Sequence, residues 1–263
     1  MKPKNMLKLL NEGIISNLEG GDTKHTFLLR HQNNKYVLRI FKNKATASYY
    51  ITICKKLLKY NFLPYIYCQH GKKVLFEYIE GRDCNKQDAS SVAAQVGRIC
   101  AWINKLKNTS PYDADKRFFS YITTLKIKKL VDIEKASDIK KLYLSLKKKV
   151  RPKITLDAND VYPENFRLRN GKVYLVDIEA IKPLFMGHGI AKSFIRWFKT
   201  PKQREKFKEG YRSVSSLQLT NDYLQFLYLN FFIRSIALKL RLHTPLNLPD
   251  VFRLNRLLEG TIK

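Results

Sequence analysis

Asn170-Gly171 is the dipeptide most favoured by a two-residue type I′ turn, because both central residues of that turn need positive φ. It lies between Phe166-Arg167-Leu168-Arg169 and Lys172-Val173-Tyr174-Leu175-Val176, which alternate as strands do, so the chain is committed to an antiparallel hairpin here. A two-residue closure fixes the register: Arg169 faces Lys172, Phe166 faces Leu175 and Asn165 faces Val176. Asn165 and Asp177 therefore emerge together at the open end. Pleat alternation would send their side chains to opposite faces, so the strands must end or twist there if both are to reach one ion.

Asn159-Asp160-Val161-Tyr162-Pro163-Glu164-Asn165 leads into this hairpin, and Asp177-Ile178-Glu179 leads out. A hard cation such as Mg²⁺ takes oxygen ligands, usually one or two from the protein plus substrate phosphates and water, which suits an Asn amide oxygen beside an Asp carboxylate. Asp160, five residues before Asn165, suits acceptance of a proton from a hydroxyl attacking a phosphate. Singly, each residue would equally suit a turn cap or a strand-end acid. In this order they point to phosphate chemistry.

Asp160-x-x-x-x-Asn165 followed by Val176-Asp177-Ile178-Glu179 resembles the catalytic and metal loops of the aminoglycoside phosphotransferase and choline/ethanolamine kinase families, relatives of the protein kinases. The resemblance implies an α+β, two-lobed protein-kinase-like fold. Residues 1–80 would form a nucleotide-binding lobe, a small antiparallel sheet with one helix. Residues 81–263 would form a larger, mainly helical lobe with the catalytic hairpin and the acceptor site. It also implies a kinase that uses ATP, or another nucleoside triphosphate, with Mg²⁺. Asp160 would be the base or hydroxyl-orienting residue, Asn165 and Asp177 the Mg²⁺ ligands, and Glu179 a helper to the metal or its water. The chain departs from the family at Ala158, where the family has His.

The amino-terminal third fits the same expectation. Ile14 to Leu18 and Thr26 to Arg30 read as strands around Glu19-Gly20-Gly21-Asp22, and a glycine pair lets backbone N–H groups approach phosphate oxygens. Gly20 and Gly21 are thus candidate nucleotide contacts. After a turn at Asn33-Asn34, the strand Tyr36 to Phe41 carries Arg39. By the resemblance Arg39 is the phosphate-contacting basic residue, and a guanidinium can grip phosphate bidentately. Ala45 to Tyr60 reads as a helix. Family members place a Glu on this helix to pair with the basic strand residue, yet no Asp or Glu lies between Asp22 and Glu77. Tyr65 to Gln69 and Lys73 to Tyr78 read as a hairpin around His70-Gly71. Phe76-Glu77-Tyr78-Ile79-Glu80-Gly81 then resembles the hinge, which gives the backbone of Glu77 and Ile79 an adenine-binding role.

From Gln87 the apolar positions Val92, Val96, Ile99, Trp102, Ile103 and Leu106 recur at helical spacing. Further helices are predicted at 116–130, 138–150, 190–198, 202–212, 222–242 and 251–258, punctuated by Pro201, Pro245 and Pro249. The 223–242 stretch contains Gln225, Asn230, Arg234 and Lys239, so it reads as a buried helix and not a membrane span. The amino terminus lacks the apolar run of a signal peptide. Cys54, Cys68, Cys84 and Cys100 form no close pair, which predicts reduced thiols in a cytoplasmic protein.

Fifty Lys and Arg against 22 Asp and Glu give a net charge of +28, which favours anionic partners. The lysines are spread over every segment without a basic and aromatic platform, so no specific nucleic acid is expected, whereas an anionic glycan or a peripheral position at a membrane surface suits the charge. Candidate acceptors are choline or ethanolamine, an aminoglycoside, or a sugar of a surface glycan. Trp197, Tyr211 and Tyr223, with Glu209 and Asp222, offer walls for a cationic acceptor. Lys192, Arg196 and Arg234 offer the opposite, and both remain open. Two other readings stand beside the enzyme: a degenerate pseudokinase with a nucleotide-binding or regulatory role, marked by Ala158 and the missing helix acid, and a basic nucleic-acid-binding protein.

Overall fold

The Asn170-Gly171 turn takes φ of +50° and +75°, and the strands beside it pair Phe166 with Leu175 and Arg169 with Lys172. Both strands end where the pleat argument requires: a 3₁₀ turn, Pro163–Asn165, precedes one and another, Ile178–Ala180, follows the other. The computed structural model describes residues 6–18, 25–108 and 111–260. In chain order its strands are β1 (Ile14–Asn17), β2 (Thr26–His31), β3 (Asn34–Ile40), β4 (Ile66–His70), β5 (Lys73–Glu77), β6 (Arg82–Asp83), β7 (Ile154–Ala158), β8 (Phe166–Arg169), β9 (Lys172–Leu175) and β10 (Ile181–Phe185). Its helices are α1 (Met6–Glu12), α2 (Lys44–Leu57), α3 (Ala89–Asn104), α4 (Ala114–Ile127), α5 (Ile133–Val150), α6 (His188–Arg196), α7 (Pro201–Arg212), α8 (Asn221–Arg241) and α9 (Leu248–Leu258).

The chain forms two compact units, Met1–Asp88 with Pro163–Glu179, and Ala89–Tyr162 with Ala180–Lys263. The first contains a five-stranded sheet in the order β1-β2-β3-β5-β4, antiparallel throughout. The β2–β3 turn falls at Gln32-Asn33, one residue before the position read from sequence, with Gln32 taking the positive φ. Leu9, Leu29, Tyr36, Leu38 and Leu75 cluster in the core of this unit, and each such side chain contributes about 1.5–3 kcal/mol by leaving water. Asn43 caps α2 by accepting from the Thr46 amide at 2.8 Å.

The hairpin packs with this unit for identifiable reasons. β8 pairs with β6, Arg82 opposite Leu168, and the Leu175 amide donates to the Phe62 carbonyl at 2.9 Å. Gly81, at φ +120°, makes the approach possible, since a Cβ there would sit 2.3 Å from the Leu168 carbonyl oxygen.

The second unit is mainly helical, as expected for an α+β chain of this kind. α4 and α5 start earlier than their apolar pattern suggested, because Asp113 and Asp132 cap them by accepting from the Lys116 and Lys135 amides at 2.9 and 2.7 Å. α3 and α7 approach so closely that a Cβ on Gly97 would lie 2.2 Å from the Phe207 carbonyl oxygen, and one on Gly210 2.0 Å from that of Ala94. α8 buries Phe226, Phe231 and Phe232, and among the described residues no helix is long and apolar enough to cross a membrane. β7 and β10 add a two-stranded antiparallel ribbon with Ala158 opposite Ile181. The sequence reading had no strand at either place. The four cysteines are free thiols.

Candidate active site

In the first unit, Arg39 on β3 stands opposite Thr26 on β2. Its Nε donates to Thr26 Oγ1 at 3.2 Å and its Nη2 to Asp177 Oδ1 at 3.3 Å, with Arg39 only 9% exposed. Two residues 138 apart in sequence, one read as a phosphate contact and the other as a metal ligand, thus form an ion pair. The Glu179 amide donates to the same Asp177 oxygen at 3.3 Å, fixing the carboxylate at the start of the 3₁₀ turn.

Helix α2 carries no acid and instead contributes Tyr50 to this corner. Its hydroxyl donates to the Glu179 carbonyl oxygen at 3.2 Å, and its ring stacks on Phe41 at a centroid distance of 5.7 Å. Burial first, then the charges of Glu179 and Asp177 and the neighbouring Tyr49, push the Tyr50 phenol up to about 12, so it remains a donor at neutral pH. No sequence signal marked Tyr50, because its contact spans 129 positions.

Asn165 is half-buried, and its carbonyl accepts from the Val176 amide at 2.9 Å, so the expected pairing continues to the hairpin mouth. An Asn amide and an Asp carboxylate at this mouth, with Glu179 following, are hard oxygen donors that fit Mg²⁺. Among the described residues no three His, Cys, Asp or Glu gather into a protein-only metal cage. An ion here would complete its shell with phosphate and water oxygens.

Of the residues read as hinge, Glu77 uses its amide to donate to the Tyr65 carbonyl at 2.8 Å, while its Oε2 accepts from the Tyr65 amide at 3.1 Å. Ile79 is 1% exposed. Gly20 and Gly21 lie outside the described residues.

In the second unit, Asp160 follows β7 in a tight turn closed by the Tyr162 amide on the Asp160 carbonyl at 3.1 Å. Its carboxylate, 37% exposed, is paired with the Lys192 ammonium of α6. Asn159 beside it is anchored twice: its amide donates to the Ala180 carbonyl at 2.8 Å, and its side-chain oxygen accepts from Arg234 Nη1 on α8. The same Nη1 lies 3.0 Å from His188 Nε2. Arginine can only donate, so Nε2 accepts and the proton of this neutral ring sits on Nδ1. Burial, and then the charges of Arg234 and Lys192, hold His188 well below the usual histidine range.

Asp157, 3% exposed, fixes α6 to β7. It accepts from Asn104 Nδ2 at 2.7 Å and from the Gly187 and Gly189 amides at 2.7 and 2.8 Å. Burial pushes its carboxyl up while these donors oppose the shift. A carboxylate at a helix N-terminus also complements the helix dipole. Gly189 is required here, because a Cβ would lie 1.8 Å from the Ala158 carbonyl oxygen. Sequence reading missed Asp157, His188 and the Lys192–Asp160 pair. The four-residue spacing of His188 and Lys192 on one helix face was the available signal.

The residues offered for an acceptor separate clearly. Trp197, Tyr211 and Tyr223 are buried. The Tyr211 hydroxyl donates to Asn104 Oδ1 at 2.8 Å and that of Tyr223 to the Met186 carbonyl at 2.9 Å. Asp222 pairs with Lys149 at 2.8 Å. Arg196 is tied to the fully buried Asp250. Lys192 and Arg234 remain beside Asp160 and Asn159.

No protein-family model matches the chain, and no curated protein matches it by sequence. Solved structures do match. The choline kinase LicA from Streptococcus pneumoniae is 16% identical, with 96% of this chain and 94% of that chain covered at a TM-score of 0.68; LicA has also been solved in complex with AMP. A Plasmodium vivax ethanolamine kinase is 14% identical over 99% of this chain and 84% of its own, at a TM-score of 0.67. An aminoglycoside phosphotransferase from Alicyclobacillus acidocaldarius is 12% identical over 99% and 95%, at 0.66. At these identities the likeness is one of fold, and the chain has the α+β protein-kinase-like fold of the choline, ethanolamine and aminoglycoside kinases.

Proposed function

We propose that this protein is an ATP- and Mg²⁺-dependent phosphotransferase that moves the γ-phosphoryl group to a hydroxyl of a small molecule, such as choline or ethanolamine, an aminoglycoside or a glycan sugar. The observation that carries this reading is the Arg39–Asp177 pair, 3.3 Å apart in a fold shared with small-molecule kinases. A guanidinium and a carboxylate that meet at the hairpin mouth are the groups that phosphate and Mg²⁺ binding would draw on there. The 1–80 segment would serve the nucleotide, and 81–263 catalysis and the acceptor.

In this reading Asp160 takes the proton of the acceptor hydroxyl as its oxygen bonds to the γ-phosphorus. The bond from that phosphorus to the β-phosphate oxygen breaks, and ADP leaves with the electron pair. Lys192 holds the Asp160 carboxylate in place and balances its charge. Arg39 exchanges Asp177 for phosphate oxygens, freeing the carboxylate that the Glu179 amide keeps oriented. Asn165 and Asp177 would hold the Mg²⁺, which neutralises charge building on the phosphates.

Thermal-shift titration with ATP tests the reading. A ligand at a hundred times its Kd stabilises the native state by about 2.7 kcal/mol. Wild type should show such stabilisation, larger with Mg²⁺ than without, and Asp177→Ala should lose the metal-dependent part. No stabilisation by ATP in either condition would overturn it.

A further inference from the structure

We propose that the acceptor is an anionic alcohol, one carrying a phosphate or carboxylate group near its reacting hydroxyl, and that Arg234 holds that group. The inference rests on the phosphotransferase reading and deepens it. Arg234 is part-buried, and the partners of its Nη1 are the Asn159 amide oxygen and the neutral His188 ring. Among the described residues no carboxylate pairs with it, whereas Arg39, Arg82, Arg196 and Arg212 pair with Asp177, Asp88, Asp250 and Glu205. A guanidinium drawn partly out of water without a counterion is a charge with unmet demand.

The ion pair beside it leaves that charge uncancelled, because Lys192 and Asp160 balance each other. Lys192 stands on Asp160, and His188 feels both Lys192 and Arg234. Arg117 lies 4.8 Å over the Tyr112 ring, and Tyr112 in turn feels Arg234. The aromatic side chains read as walls for an ammonium group, Trp197, Tyr211 and Tyr223, are buried in the helical unit. A cationic acceptor would therefore meet repulsion beside Asp160, and an anionic one attraction.

Glucose, glucose 6-phosphate and glucosamine share a ring and differ in charge, so transfer from γ-labelled ATP to each tests the inference. Wild type should prefer glucose 6-phosphate over glucosamine by about tenfold or more in kcat/KM. Arg234→Met should raise KM for glucose 6-phosphate about ten times more than KM for glucose, with any loss of kcat from the freed Asn159 shared by both. Arg234→Lys should restore part of the loss. A role confined to positioning Asn159 would instead lower kcat for all three equally, and equal or better use of glucosamine would likewise overturn the inference. Phosphatidylglycerol vesicles, run against free glucose 6-phosphate, separate a lipid-borne anion from a soluble one, and transfer to either supports it.

If no acceptor turns over, thermal shifts decide separately. A glucose 6-phosphate shift lost in Arg234→Met sustains the anion site, and its absence in wild type overturns it. An absent ATP shift overturns the phosphotransferase reading instead.

Discussion

Lys192 and Asp160 form an ion pair, and the same ammonium lies 5.7 Å from the centre of the Tyr162 ring. The Asp160 carboxylate is therefore held from one side by a cation that is itself held over an aromatic face. Lys192→Met should lower kcat for phosphate transfer by about ten- to a hundredfold while leaving the ATP-induced thermal shift intact. Steady-state kinetics with both variants of the pair give the comparison, and an unchanged kcat would remove Lys192 from the mechanism.

Arg39 makes directional contacts to Thr26 and Asp177 that a lysine cannot reproduce together. Arg39→Ala is expected to raise KM for ATP by about tenfold or more, and Arg39→Lys by less. Circular dichroism should show the sheet intact in both.

Asp157 satisfies Asn104 and the amides of Gly187 and Gly189 in a site closed to water. Asp157→Ala leaves those donors buried without an acceptor, at a cost of about 3 kcal/mol. For a chain of this size that is a fall in Tm of about 6–12 °C. A melting curve within about 2 °C of wild type would contradict the anchoring role.

His188 carries a pH signature. Its folded pKa lies well below the ordinary 6.5, so below that value the unfolded chain binds a proton that the folded chain does not. Stability contributed by this residue is therefore present above pH 6.5 and lost as pH falls below it. His188→Gln should flatten that part of the stability curve, measured by urea unfolding on both sides of this pH. A slope identical to wild type would exclude His188 as its source.

The legible parts of this chain were local. Asn170-Gly171 fixed a hairpin register because type I′ geometry depends on two adjacent residues, and the helices followed from apolar spacing within single segments. Strands β7 and β10 were missed because they are short, lie far apart in sequence and include Pro183. The supports of the candidate residues were missed for the same physical reason. Tyr50 reaches Glu179 and Arg234 reaches Asn159 across 129 and 75 positions, and a single sequence records no trace of such contacts. The absent acid on α2 was readable; that Asp177, 138 positions away, would pair with Arg39 was not.

Phosphate transfer from γ-labelled ATP, with Asp160→Asn compared against wild type at equal fold stability, reaches the chemistry most directly. Replacing a base by its amide keeps the shape and removes the proton acceptor, so transfer should fall about a hundredfold or more while ATP and Mg²⁺ still stabilise the protein. Wild-type turnover in the Asp160→Asn variant would contradict the assignment of Asp160 as the group that takes the proton.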